Sequence, residues 1–94
     1  MAETFAVSYG YVPEMEERRV PHREAHLEFL RGLTEEGRLL LAGALAEPVD
    51  GGWLVVRAES AAAARAMIDA DPYAHAGLIR SVTIRSINVA IPAT

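Results

Sequence analysis

The sequence predicts an α+β fold of the ferredoxin-like kind, with elements in the order βαββαβ, four antiparallel strands and two helices on one face of the sheet. Three observations predict it. Four segments have the length and alternation, or the short apolar run, of β-strands. Two stretches with apolar residues at helical spacing separate them in the pattern strand, helix, two strands, helix, strand. Pro and Gly fall mostly between these segments, with Gly10, Gly32 and Gly43 inside them and Pro21 in the first turn of a helix.

Thr4 to Tyr11 is the first predicted strand. Phe5, Val7, Tyr9 and Tyr11 share one side, and the small residues Ala6, Ser8 and Gly10 the other. Pro13 and the charged run Glu14 to Arg19 read as a solvated loop. Pro21 suits the first turn of a helix, where a missing N–H costs little. From there to Glu36, His26, Phe29, Leu30 and Leu33 form one apolar stripe, and Gly37 stands where a C-terminal cap belongs. The helix spans roughly 24 Å at about 1.5 Å per residue.

Arg38 to Ala46 is too short for a typical helix and reads as a strand. Pro48, Asp50, Gly51 and Gly52 form a turn cluster, and Trp53 to Ala58 is the next strand. Their closeness predicts a hairpin. Ser60 is a good N-cap, and the alanine-rich run after it is a second, thin helix with Ala63, Ala66, Met67 and Ala70 on one face. Asp71-Pro72 ends it. Tyr73 to Ala76 adds a turn closed by Gly77. Leu78 to Ile91 is the last strand. Its apolar phase flips between Ile84 and Ile87, which predicts a bulge near Arg85 and Ser86 or a change of pairing partner.

Composition excludes several classes. Nine basic against thirteen acidic residues give a net charge of −4, a poor match for a nucleic-acid backbone, and the strands lack the basic and aromatic pattern of an RNA-binding sheet. There is no cysteine, so disulfides, thiolate metal sites and a Cys nucleophile are excluded. No apolar run reaches the roughly 18 residues of a membrane span, and the N-terminal ten residues do not read as a signal peptide. These features predict a cytoplasmic protein. Residues 1–94 read as a single domain. A domain of this size has a small core, and the second sheet face has nothing in the chain to cover it. Both points predict a homodimer built sheet against sheet, with further assembly left open.

Two residues are candidates for chemistry. His26 shares the inward stripe, and a buried imidazole needs partners for its ring nitrogens. Asp71 stands at the end of the second helix, where the dipole disfavours a carboxylate. In a βαββαβ fold the helices lie side by side, so Asp71 can meet His26 and orient it as a general base. Arg23, one turn before His26, can clamp an anionic substrate or form a surface ion pair. Tyr9, Tyr11, Trp53 and Tyr73 line a pocket or fill the core. Gly43, inside an apolar run, marks a bulge or the close approach of a ligand or backbone. His22 and His26 are four apart, but a third metal ligand is missing from any nearby motif, so no metal is expected. His75 reads as exposed. There is no P-loop, dinucleotide fingerprint or GxSxG.

Arg23 with His26-Leu27, then Gly37-Arg38-Leu39-Leu40, Ala42-Gly43, and Asp71-Pro72-Tyr73 with Ala76-Gly77 form an ordered set. In that order and spacing the chain resembles the YciI-like family, also called YCII-related domain proteins, over nearly its whole length. The resemblance implies a ferredoxin-like fold dimerised into an α/β barrel, similar in architecture to muconolactone isomerases. It also implies a His–Asp pair at His26 and Asp71. A related protein is a dehydrochlorinase acting on a chlorinated hydroxyquinol. The chain departs from many relatives at Ala44, where they carry Pro, and at Ile87-Asn88, where they carry an aromatic residue.

Two functions follow as expectations. One is a small-molecule lyase or isomerase, dehydrochlorinase-like, working without a cofactor on an anionic or chlorinated ring compound. His26 and Asp71 would be catalytic, and Arg23, Gly43, Tyr73 and Tyr9 would bind substrate. The other is a non-catalytic dimeric ligand-binding or accessory domain, in which the His26–Asp71 bond is structural.

Overall fold

A computed structural model describes residues 2–92. Strand β1 (Glu3–Tyr11) leads through a short helix α1 (Met15–Arg18) and a 3-10 turn (Val20–His22) into helix α2 (Arg23–Glu35). Strands β2 (Leu39–Ala44) and β3 (Gly51–Ala58) follow, then helix α3 (Ala61–Asp69), the one-turn helix α4 (Pro72–His75) and strand β4 (Ile79–Ser86). The sheet is antiparallel with order β2-β3-β1-β4. The two halves interleave, so β1 and β3 are central. This is the predicted ferredoxin-like topology, and β2 and β3 form the predicted hairpin.

Side-chain parity explains the core. Phe5, Val7, Tyr9 and Tyr11 of β1 and Leu54, Val56 and Ala58 of β3 are buried on the helix-covered face. From the helices come Leu33, Ala64, Met67 and Ile68. The face of α3 is therefore Ala64, Met67 and Ile68 with Ala63 beside it, whereas Ala66 and Ala70 are exposed. The Ser60 hydroxyl accepts from the Ala63 N–H at 3.1 Å, which caps α3. Gly37 and Gly77 take positive φ of 74° and 72°, as the helix-ending positions require.

Four segments depart from expectation. Glu14 to Arg19 is not a loop throughout. Met15, the one apolar residue in the run, is buried, and the chain around it closes into α1. Gly51 and Gly52 belong to β3 rather than to the turn, because they pair with Gly10 and Tyr9 of β1. The register shift in β2 lies between Leu39 and Leu41, so Gly43 is not the bulge. Finally, β4 stops at Ser86. There it leaves β1, which itself begins at Glu3: Ser86 pairs with Phe5, and Ile87 N donates to Thr4 O at 2.9 Å as the last bond. The flip of apolar phase marks the end of pairing, not a bulge near Arg85. Ile87, Val89 and Ile91 lie beyond it, exposed.

The open face of the sheet is mixed. Exposed Leu41 and Trp53, with half-buried Val55, make its β2–β3 end apolar. Ser8, Ser81 and Thr83 make the opposite end polar. Among the described residues no helix is long and apolar enough to cross a membrane.

Candidate active site

Asp71 is fully buried and accepts three hydrogen bonds. Its Oδ1 lies 2.8 Å from His26 Nδ1 and accepts the Tyr73 N–H at 2.9 Å. Its Oδ2 accepts the Tyr9 hydroxyl at 2.9 Å. The local sequence explains the position. Asp71-Pro72 ends α3 and begins α4 in the same step, so Asp71 is the N-cap of α4 rather than a residue stranded at the C-terminus of α3. The unfavourable dipole expected at this position is thus replaced by a capping role.

His26 comes from α2, which packs against α4. The imidazole stacks on the Tyr73 ring, with centroids 3.7 Å apart and planes 5° from parallel. Tyr73 meets Tyr11 edge-on at 6.1 Å. An ionised carboxylate only accepts, so opposite one His26 Nδ1 carries the hydrogen, and in the neutral imidazole Nε2 then keeps its lone pair. Among the described residues Nε2 has no hydrogen-bond partner, and it is not sealed from solvent.

His26 opens on a cleft of about 340 Å³ between α2, the β2–β3 hairpin and Tyr73. That volume suits a compact ligand. Arg19 and Arg23 stand at its rim, Leu27, Leu30 and Leu54 form apolar wall, and Gly43 and Ala44 come from β2. A larger groove of about 430 Å³ runs along α2 and β2, but its Arg31 is already held by Glu24 and Glu28 and it has no buried polar group. The smaller cleft is therefore the candidate site.

The cleft brings together His26, Arg23, Tyr73 and Gly43, with Asp71 directly behind His26. Tyr9 is not in the cleft. It is buried behind the pair, where its hydroxyl serves Asp71. Burial first, and then the Asp71 charge, push the Tyr9 phenol far above its ordinary value. Burial also raises the Tyr73 phenol, and Arg23 and Arg19 oppose that rise. A Cβ added at Gly43 would meet no protein atom within 4 Å, so no neighbouring segment requires glycine there. Trp53 is on the open sheet face and His75 is exposed. His22 is half-buried outside the cleft, and no three His, Cys, Asp or Glu side chains cluster among the described residues. The sequence reading missed Arg19. It ends the charged run and precedes Arg23 by four residues, a spacing of one turn that could have flagged it.

A family model for the YCII-related domain matches residues 4–88. The chain belongs to the YCII-related domain family. Protein YciI of Escherichia coli O6:H1 (strain CFT073) is 38% identical over 78 residues, covering 73% of this chain and 80% of that protein. Among solved structures, 5-chloro-2-hydroxyhydroquinone dehydrochlorinase (TftG) from Burkholderia phenoliruptrix AC1100, in complex with 2,5-dihydroxybenzoquinone, superposes with a TM-score of 0.75. It is 21% identical, and the match covers 87% of this chain and 90% of TftG. A NIPSNAP family protein from Agrobacterium tumefaciens C58 gives a TM-score of 0.58 at 17% identity, covering 93% of this chain and 91% of that one. At these identities the two structures speak to the fold, which they share. This YCII-related domain thus sets its buried His–Asp pair beside an arginine-rimmed cleft on a ferredoxin-like scaffold.

Proposed function

We propose that this YCII-related domain is a cofactor-independent lyase or isomerase for a small ring compound, anionic or chlorinated, with His26 as general base. The observation that carries the reading is the His26 Nδ1–Asp71 Oδ1 bond of 2.8 Å at the wall of a cleft, with Nε2 unclaimed. In the proposed step Nε2 takes a proton from a ring hydroxyl or carbon. The electron pair released forms a new double bond, and either chloride leaves or the proton returns at another atom. Asp71 holds the tautomer and offsets the positive charge on the imidazolium. Arg23 holds the substrate's anionic oxygen. TftG, a dehydrochlorinase of similar fold, supports this class of reaction.

The test is an NMR titration of the His26 ring in wild type and Asp71→Asn, joined to a turnover screen of hydroxylated and chlorinated ring acids. The two curves are expected to differ, and Asp71→Asn to lose most turnover. Identical curves would show that the pair is uncoupled in solution, and the base assignment would fall.

A second reading has its own support. Asp71 also serves Tyr9 and the α4 N–H of Tyr73, so the carboxylate has structural work whether or not His26 reacts. In that reading the protein is a ligand-binding or accessory domain. His26→Ala separates the two: a structural His costs about 1–3 kcal/mol of stability when removed, whereas a catalytic one costs little or nothing.

The exposed Leu41 and Trp53 at one end of the open sheet face support a homodimer joined sheet to sheet.

A further inference from the structure

Proton transfer leaves one cleft-lining residue, Tyr73, with a polar group that has no task. The Tyr73 hydroxyl is buried and has no hydrogen-bond partner among the described residues. Native proteins leave few such groups, because an unpaired buried hydroxyl is costly. The ring cannot easily swing to find a partner. It is stacked on His26 at 3.7 Å and held edge-on by Tyr11 at 6.1 Å.

Charge supplies the second observation. Arg19 and Arg23 line the same cleft as Tyr73, and no carboxylate lines it, although the chain as a whole carries −4. Arg31, Arg38 and Arg65 are occupied by acidic neighbours, whereas Arg19 and Arg23 have no carboxylate partner among the described residues. Arg23 is close enough to Tyr73 to favour its phenolate, yet does not complete a hydrogen bond to the hydroxyl. Two arginines and a tyrosine with an idle, buried hydroxyl therefore line one apolar-walled space.

We propose that Tyr73 Oη, Arg19 and Arg23 form an anion-binding corner for a carboxylate or phenolate oxygen borne on a compact apolar ring. The inference rests on the cleft being the site of the reading above, and it narrows the ligand class to anions. An anionic oxygen would accept from Tyr73 Oη and from the guanidinium groups, which gives the buried hydroxyl its missing partner. The stacked His26 and Tyr73 rings put base and corner on one wall, so a single ligand reaches both.

The experiment is a titration with benzoate and with its neutral isostere benzamide, followed by the NMR signals of the Tyr73 and His26 rings. Benzoate is expected to bind saturably and benzamide at least about tenfold more weakly, the loss expected for a hydrogen bond to a charged group. Tyr73→Phe keeps the stacked ring and removes a hydroxyl that has no partner, so its unliganded thermal midpoint should not fall. Tyr73→Phe and Arg19→Gln should each weaken benzoate about tenfold or more. Equal affinity for the two probes, or wild-type benzoate affinity in both variants, would overturn the corner. The outcome is separable from catalysis. Benzoate binding without turnover of any ring acid would leave the corner standing and remove the base, and turnover that benzoate neither inhibits nor competes with would do the reverse.

Discussion

Asp71 shows how one side chain can be fixed by several needs at once. Its carboxylate, itself out of contact with water, satisfies a phenol, a backbone N–H and an imidazole. Asp71→Ala strands three buried donors and is expected to cost about 3 kcal/mol or more in denaturant unfolding. Asp71→Asn keeps the shape and should cost less, because its amide oxygen can still accept from the Tyr73 N–H. A loss for Asp71→Ala below about 1 kcal/mol would show that water enters to replace the carboxylate. The tyrosines beside it set an alkaline limit. Burial first, then Tyr73 and Asp71, push Tyr11 up to about 12 from its ordinary 10.0. The unfolded phenol therefore loses its proton first as pH rises. Stability is full below pH 10 and falls as pH climbs through about 12. Tyr11→Phe should flatten that fall, measured as the urea midpoint against pH, and an unchanged slope would assign the loss to other groups.

At the scale of elements, β3 carries the constraint that positions the site's tyrosines. A Cβ at Gly51 would stand 2.6 Å from the backbone carbonyl oxygen of Tyr9, and one at Gly52 would stand 2.5 Å from the Tyr11 hydroxyl. The first is the harder clash, since backbone cannot rotate away. Gly51→Ala should therefore part β1 from β3 and cost about 1–3 kcal/mol. Gly43→Ala, one strand over and in open space, should change stability by no more than about 0.5 kcal/mol. Equal effects at the two positions, read by thermal unfolding, would refute this ranking. The two longer helices and the order of elements were legible from sequence, because periodicity and capping are local. The ends of β3 and β4 were not, since they depend on which residues of a sequence-distant strand pair with them. Gly51 and Gly52 look like turn residues until Gly10 and Tyr9 are beside them.

For the whole molecule the open question is the exposed sheet face. Trp53 is the chain's single tryptophan and sits on that face, 44% exposed. A sheet-to-sheet dimer would bury it. Light scattering is expected to give about twice the 10.2 kDa of one chain, and Trp53→Arg to return the single-chain mass. Trp53 emission should also shift to the red on dilution. A wild-type mass of one chain at high micromolar concentration would reject this pairing. The polar end of the face, with Ser8, Ser81 and Thr83, limits how much apolar area that contact can draw on.

The sequence by itself determined the order of elements, the inward stripe that carries His26, the break at Asp71-Pro72 and the resemblance to a family. Each is a matter of spacing along the chain, or of residue types read in order. Only the tertiary structure decided that Asp71 meets His26, because that contact spans 45 positions. Packing also placed Tyr9 behind the pair rather than in the cleft and left the Tyr73 hydroxyl without a partner among the described residues. It gathered Arg19 with Arg23 over one apolar space. Which donors find acceptors is settled where the helices cross the sheet, by distances that no local pattern encodes.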